Sequence, residues 1–162
     1  MMSSDFHIRP AALSDGPELL AMVRALHDAT KTDRHFSLDE SDAARIIANS
    51  IDSDEACALV AVMGHLPSLP IAAIIGAIAS PPFNRAFRFA QEFVFWVCPE
   101  YRKSGVAGKL AEAFEAWAVE KKVDAVVMGF TAGCSTSAMG RICKRRGLTP
   151  MESVYIKRLG TT

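Results

Sequence analysis

The stretch Val97-Cys98-Pro99-Glu100-Tyr101-Arg102-Lys103-Ser104-Gly105-Val106-Ala107-Gly108 joins the two most strongly patterned segments of the chain. Before it, Phe89 to Val97 is rich in aromatic and β-branched residues, which predicts a buried central strand ending at Pro99. After it, Val106, Leu110, Phe114, Trp117 and Ala118 recur near the 3.6-residue period while Lys109, Glu112, Glu115 and Lys122 take the other face. That spacing predicts a helix over Gly105 to Lys122. The junction itself sets Arg102 and Lys103 immediately before the helix, with Gly105 and Gly108 free to turn tightly and to let a ligand approach the backbone. The first N–H groups of a helix have no intrahelical acceptor and carry the positive end of its dipole, so this order of strand, cations, glycines and helix suits a phosphate. A turn that uses glycine for geometry alone and basic residues for solubility is the plain alternative.

Outward from the junction, the rest of the chain supplies a mixed α/β domain. Phe6-His7-Ile8-Arg9 alternates as a first strand, and Ser14-Asp15-Gly16-Pro17-Glu18 offers a helix start for the face made by Leu19, Val23 and Leu26. Ser37-Leu38-Asp39-Glu40 opens a second helix that stops near Asn49-Ser50. Between Glu55 and Arg85 lie 29 residues without Asp, Glu, Lys or Arg, long enough to cross a bilayer. Pro67 and Pro70 divide them into Ala56–Met63 and Ile71–Ala79, so a hairpin of buried strands is expected and no membrane span. Downstream of the long helix come a strand over Val123–Phe130, a loop over Thr131–Thr136, a helix from about Ser137 to Gly147, and a last alternating strand over Val154–Leu159. The order βααβββαβαβ, without internal repeats, makes residues 1–162 one domain with helices around a mixed central sheet.

Composition narrows the function classes. Half of the 162 residues are hydrophobic, and 18 basic residues balance 18 acidic ones, which excludes a disordered chain and a sequence-independent nucleic-acid binder. The balance conceals an asymmetry: residues 1–81 hold 5 Lys/Arg against 11 Asp/Glu, residues 82–162 hold 13 against 7, so the halves carry −6 and +6. A polyanionic ligand is drawn to the second half. Cys57, Cys98, Cys134 and Cys143 form no C-x-x-C pair, and with four scattered histidines there is no metal-ligand spacing. Reduced thiols and an N-terminus without an apolar signal run fit a cytoplasmic protein.

The junction resembles the acetyl-CoA signature of the GNAT superfamily of N-acetyltransferases, Gln/Arg-x-x-Gly-x-Gly/Ala, here Arg102-x-x-Gly105-x-Ala107 preceded by Val97-x-Pro99-x-Tyr101. The resemblance extends to the order of elements and to Ile8-Arg9-Pro10, and weakly to Lys144-Arg145-Arg146-Gly147-Leu148. It implies a GNAT-like fold that binds acetyl-CoA as cosubstrate, without a metal. Backbone groups of Phe95, Trp96 and Val97 then pair with the pantetheine arm and thioester where the central strand splays from its neighbour. The segment opened by Arg102 holds the pyrophosphate on the amides of Lys103, Ser104, Gly105, Val106, Ala107 and Gly108. The acceptor is a small-molecule or peptide amine, and a homodimer is compatible with the sequence.

Acetyl transfer to an amine needs a neutral nucleophile, a polarised thioester carbonyl and a stabilised leaving thiolate. Glu92 lies within the aromatic strand, where desolvation raises a carboxyl pKa, and it resembles the glutamate some family members use to deprotonate the amine. An outward-facing charge, or an ion pair with Arg85 or Arg88, is the structural alternative. Where many relatives place a leaving-group tyrosine four residues before a Gly-Phe pair, this chain has Cys143, and Leu148 replaces the aromatic. Cys143 is the candidate acid, against a packed helix thiol. Thr136 stands where an asparagine is common, and Thr131 where ribosomal-protein acetyltransferases carry a glutamate. Tyr101 is expected to pack and Tyr155 to lie on the last strand. His27 is expected at the surface with a partner, His35 and Phe36 in a loop that can wall an acceptor site, and Lys144, Arg145 and Arg146 as compensation for a helix dipole. The reading is an acetyl-CoA-dependent N-acetyltransferase working by direct attack. Its rival is a non-catalytic acyl-CoA-binding or regulatory module on the same fold.

Overall fold

The computed structural model describes residues 5–64, 68–129 and 136–159. Five strands form one sheet in sequence order: β1 (Phe6–Pro10), β2 (Ala56–Met63), β3 (Pro70–Ala79), β4 (Phe89–Val97) and β5 (Ala125–Val127). The first four pair antiparallel; β4 and β5 pair parallel, joined by helix α3 (Val106–Glu120). Helices α1 (Gly16–Ala29) and α2 (Glu40–Asp52) pack on one face, and α4 (Thr136–Arg145) follows β5. The uncharged stretch folds as β2 and β3, most of whose residues are buried and none exposed, as expected for strands covered on both faces. Among the described residues no helix is long and apolar enough to cross a membrane.

Each face of the sheet has its own core. Leu19, Met22 and Ile47 pack with Val60, Ile75, Val94 and Trp96 on one side. On the other, Val106, Leu110 and Phe114 of α3 pack with Ala61, Ala72, Ile74 and Ala90. The small residues of β3 let α3 approach closely. A Cβ on Gly76 would stand 2.7 Å from the Phe114 ring and 2.6 Å from the Gln91 carbonyl, too close for any side chain.

Local details differ from the sequence expectations for identifiable reasons. Asp15 makes no cap bond to α1; its carboxylate turns back to Arg9 at 2.7 and 3.0 Å and to the Ala12 amide, and this pairing holds its pKa below the usual carboxylate value. Helix α2 is capped by Asp39, not Ser37: its carboxylate accepts from the Ser41 and Asp42 amides, a cap worth about 1 kcal/mol. The strand expected over Val123–Phe130 shrinks to three residues, with Phe130 outside the described part. No strand forms over Val154–Leu159; Val154, Tyr155 and Leu159 are exposed, with no element covering that alternation. His27 is buried, and its Nε2 lies 3.1 Å from the Phe36 carbonyl oxygen, so it has the expected partner without the expected exposure.

Candidate active site

The site grows from the way β4 and β5 part. Their parallel register covers Phe89↔Ala125, Ala90↔Val126 and Gln91↔Val127 and then ends. Asp124 pins the start of the pairing: its amide donates to the Arg88 carbonyl and its carboxylate accepts from the Arg88 amide, both at 2.8 Å. Beyond Gln91, β4 stays bonded to β3, with Phe95, Trp96 and Val97 opposite Ile74, Ala73 and Ala72. Its other edge has no strand partner among the described residues. Three of the expected cofactor contacts, Phe95, Trp96 and Val97, therefore lie along one open stretch of backbone.

Glu92 is the first residue past the parting. Ile75 pairs with Val94 but Gly76 pairs with Glu92, so Phe93 is an extra residue, a bulge that reverses the alternation of β4. Without it Glu92 would share a face with Val94 and Trp96, under α1 and α2. With it Glu92 stands opposite Gly76, on the side of α3, and is only 8% exposed. Its Oε1 accepts from the Gly129 amide at 2.7 Å. Burial pushes its pKa up to about 7, the Gly129 bond pulling the other way. The alternative ion pairs are not formed: Arg88 pairs with Glu55 at 2.9 Å, and no charged side chain among the described residues bridges to Glu92.

Cys143 lies half-buried on α4. Its thiol pKa is raised by desolvation first and by the charge of Glu92 second, so the two candidate catalytic groups sense each other at the fork. Thr131 and Cys134 lie outside the described residues, and the side chain of Thr136 is likewise not described. Tyr101 packs against the α3 core, while Tyr155 is 94% exposed on the tail and joins nothing.

The junction that precedes α3 is built as a bonded turn. Cys98 donates to Ile71 at 3.0 Å, Tyr101 to the Cys98 carbonyl at 2.9 Å, and Ser104 to the Tyr101 carbonyl at 3.0 Å. Gly105 then takes the left-handed conformation at φ 86°, which an L side chain rarely adopts. The first backbone bond back to the turn is Lys109 to the Gly105 carbonyl at 3.3 Å, and the Val106 amide donates to the Ser104 hydroxyl at 3.4 Å, so Ala107 and Gly108 present the unsatisfied amides of the first turn. The expectation that every amide from Lys103 to Gly108 faces a ligand needs one correction. The Ser104 amide is consumed by the turn itself, and the Val106 amide by the Ser104 hydroxyl. Arg102 also differs from a simple phosphate ligand: its Nε donates to the Val97 carbonyl at 3.2 Å and its guanidinium lies 4.9 Å from the Trp96 ring centroid. Here it ties the turn to the end of β4.

Beside these amides runs a groove of about 240 Å³ between α3 and α4, lined by Gly105, Gly108, Lys109, Glu112, Ile142, Arg145 and Arg146. Arg146 is a strut: it grips Glu115 on α3 with both carboxylate oxygens, the Nη2–Oε2 bond measuring 2.7 Å, and holds α4 in place. Arg145 has no ion-pair partner among the described residues and adds a cation to the groove that the dipole explanation of the basic run missed. The adjacent basic residues at 144–146 were the available signal. A larger hollow of about 380 Å³ by Ser80, Pro81, Pro82 and Arg85 brings no titratable pair together. No cluster of His, Cys, Asp or Glu fit for a metal occurs among the described residues.

The acetyltransferase (GNAT) family model matches residues 20–140, and the chain belongs to that family. No curated sequence matches it. Among solved structures it is similar to the aminoglycoside antibiotic 6'-N-acetyltransferase AAC(6')-Ih from Acinetobacter baumannii: TM-score 0.69, 19% identity, 97% of this chain and 99% of the other. A ribosomal-protein-alanine N-acetyltransferase from Brucella melitensis biovar Abortus 2308 is similar at TM-score 0.70 and 17% identity, covering 95% and 99%. A predicted acetyltransferase with acetyl-CoA from Clostridium acetobutylicum is similar at TM-score 0.70 and 14% identity, covering 94% and 96%. At these identities the likeness is one of fold.

Proposed function

We propose that the protein transfers the acetyl group of acetyl-CoA to a primary amine by direct attack, with Glu92 as the base. The observation that carries this reading is the placement of one buried carboxylate, with a pKa of about 7, at the point where β4 loses its strand partner. A base poised near neutrality accepts a proton from the acceptor ammonium without being permanently protonated. The neutral amine then attacks the thioester carbon, the C–S bond breaks, and the proton lost by the acylated nitrogen passes to the departing thiolate, directly or through solvent. Open backbone from Phe95 to Val97 suits the pantetheine arm, and the amides of Lys103, Gly105, Ala107 and Gly108, with Arg145 alongside, suit the phosphates; Lys109 is paired with Glu112 at 3.0 Å. The acceptor is a small-molecule or peptide amine.

Release of free thiol from acetyl-CoA across a panel of amines tests the reading and names the acceptor. Glu92→Gln should lower turnover by roughly 10²-fold or more with acetyl-CoA affinity retained. Turnover within about twofold of wild type with an unchanged pH profile would assign Glu92 to structure. The absence of a tyrosine at position 143 keeps a second reading in play, a non-catalytic acyl-CoA-binding module, for which acetyl-CoA binds and no amine releases thiol.

A further inference from the structure

The fork between β4 and β5 holds a hydrogen bond that the strands themselves do not account for. Parallel pairing stops at Gln91↔Val127, and two residues later the Gly129 amide points back across the gap. A backbone acceptor on β4 would receive it if the ladder continued. The bulge at Phe93 turns Glu92 to this side, and its carboxylate takes the amide where no strand carbonyl does. We propose that the Gly129 backbone amide is the positioning group of Glu92: by donating to Oε1 across the fork it fixes the direction of the carboxylate and favours its ionised, proton-accepting form. This rests on the reading of Glu92 as the base.

Three features support the assignment. The bond is short, at 2.7 Å, and joins a carboxylate acceptor that is 8% exposed to the N–H of the exposed Gly129. Among the described residues, the other elements around Glu92 offer no rival cation: β3 presents Gly76, and α4 presents the Cys143 thiol, whose ionisation Glu92 opposes. The bond also works against burial, which raises the carboxyl, whereas the amide lowers it. Proton transfer from an ammonium to Glu92 converts the carboxylate to a carboxylic acid, a weaker acceptor for the amide. The Gly129 bond therefore strengthens when the base is ready and slackens once the proton is taken.

The test reads the ligand-free protein, so it does not depend on turnover. In the unaltered chain the Gly129 amide resonance should shift with pH at a midpoint near that of the Glu92 carboxyl carbon, and the shift should vanish in Glu92→Gln. Gly129→Pro, which deletes the N–H, should raise the Glu92 midpoint by about one pH unit or more and carry the acidic limb of the kcat/KM profile with it. Gly129→Ala keeps the N–H, and its added Cβ would lie an unstrained 3.9 Å from Oε1, so it should leave the Glu92 titration in place. A Gly129 amide that ignores the Glu92 titration, or a folded Gly129→Pro whose Glu92 midpoint matches wild type, overturns the proposal. If the amide follows Glu92 while Glu92→Gln turns over normally, the catalytic half of the proposal is overturned along with the base assignment, and the bond is structural only.

Discussion

Glu92 carries a cost that depends on pH. Its carboxyl titrates near 7 when folded, against an ordinary value of 4.5. At acid pH it is protonated in both folded and unfolded chains and the burial is cheap. As pH rises from about 4.5 through about 7, the unfolded chain ionises first and stability falls, by up to about 3 kcal/mol once both forms are ionised. Glu92→Gln removes this dependence. Urea unfolding should show the variant gaining about 1–3 kcal/mol on wild type between about pH 5 and about pH 8, and an equal difference at both would contradict the buried titration. Cys143 should behave more quietly. Desolvation and Glu92 keep its thiol protonated, yet a cysteine and the departing CoA thiol have similar intrinsic acidity, so little driving force separates them. Steady-state kinetics of Cys143→Ala should give a kcat less than about tenfold below wild type; a loss near 10³-fold in a folded, acetyl-CoA-binding variant would make Cys143 the acid.

At the level of elements, α3 and the turn before it are the clearest case of a sequence that announces its structure. The apolar stripe Val106, Leu110, Phe114 and Ala118 is buried as its spacing requires, and Gly105 takes the left-handed angle that its place before the helix suggested. Replacing Gly105 by Asp adds a strained side chain and a negative charge to the amides proposed to bind phosphate, so calorimetric titration should show acetyl-CoA affinity reduced at least roughly tenfold. An unchanged affinity in a folded variant would remove this turn from the phosphate site. The bulge in β4 was not legible. Simple alternation assigns Glu92 to the face of Val94 and Trp96, and nothing in Phe89–Val97 marks Phe93 as the extra residue, because its cause is register against Gly76 on another strand. Arg145 escaped for a related reason: a basic run at a helix end has a local explanation, and only the packing of α4 on α3 through Arg146 and Glu115 shows which cation meets the groove. The tail over Val154–Leu159 shows the opposite error, a local alternation without a neighbouring strand to make it one.

For the whole molecule, the two halves of the chain divide the charge. The N-terminal half, with its excess of 6 negative charges, supplies α1, α2 and the hairpin, whereas the C-terminal half, with 6 positive ones, supplies the helix ends that border the groove. The parting of β4 and β5 ties these pieces to a property of the sheet as an object. A sheet edge normally lies at the rim, but this one opens in the interior, between strands, along Phe95 to Val97. Peptide N–H groups there that point away from β3 have no strand acceptor among the described residues. An extended amide-bearing ligand such as pantetheine would act as a temporary strand and close the lattice from within. Hydrogen–deuterium exchange should therefore slow along Phe95–Val97 when acetyl-CoA is added, while the amides of α1, far from the opening, keep their rates. Unslowed exchange along β4 at saturating acetyl-CoA would place the ligand elsewhere. On the proposed reading, acetyl-CoA would be more than cargo: its pantetheine arm would complete a sheet that the chain leaves open.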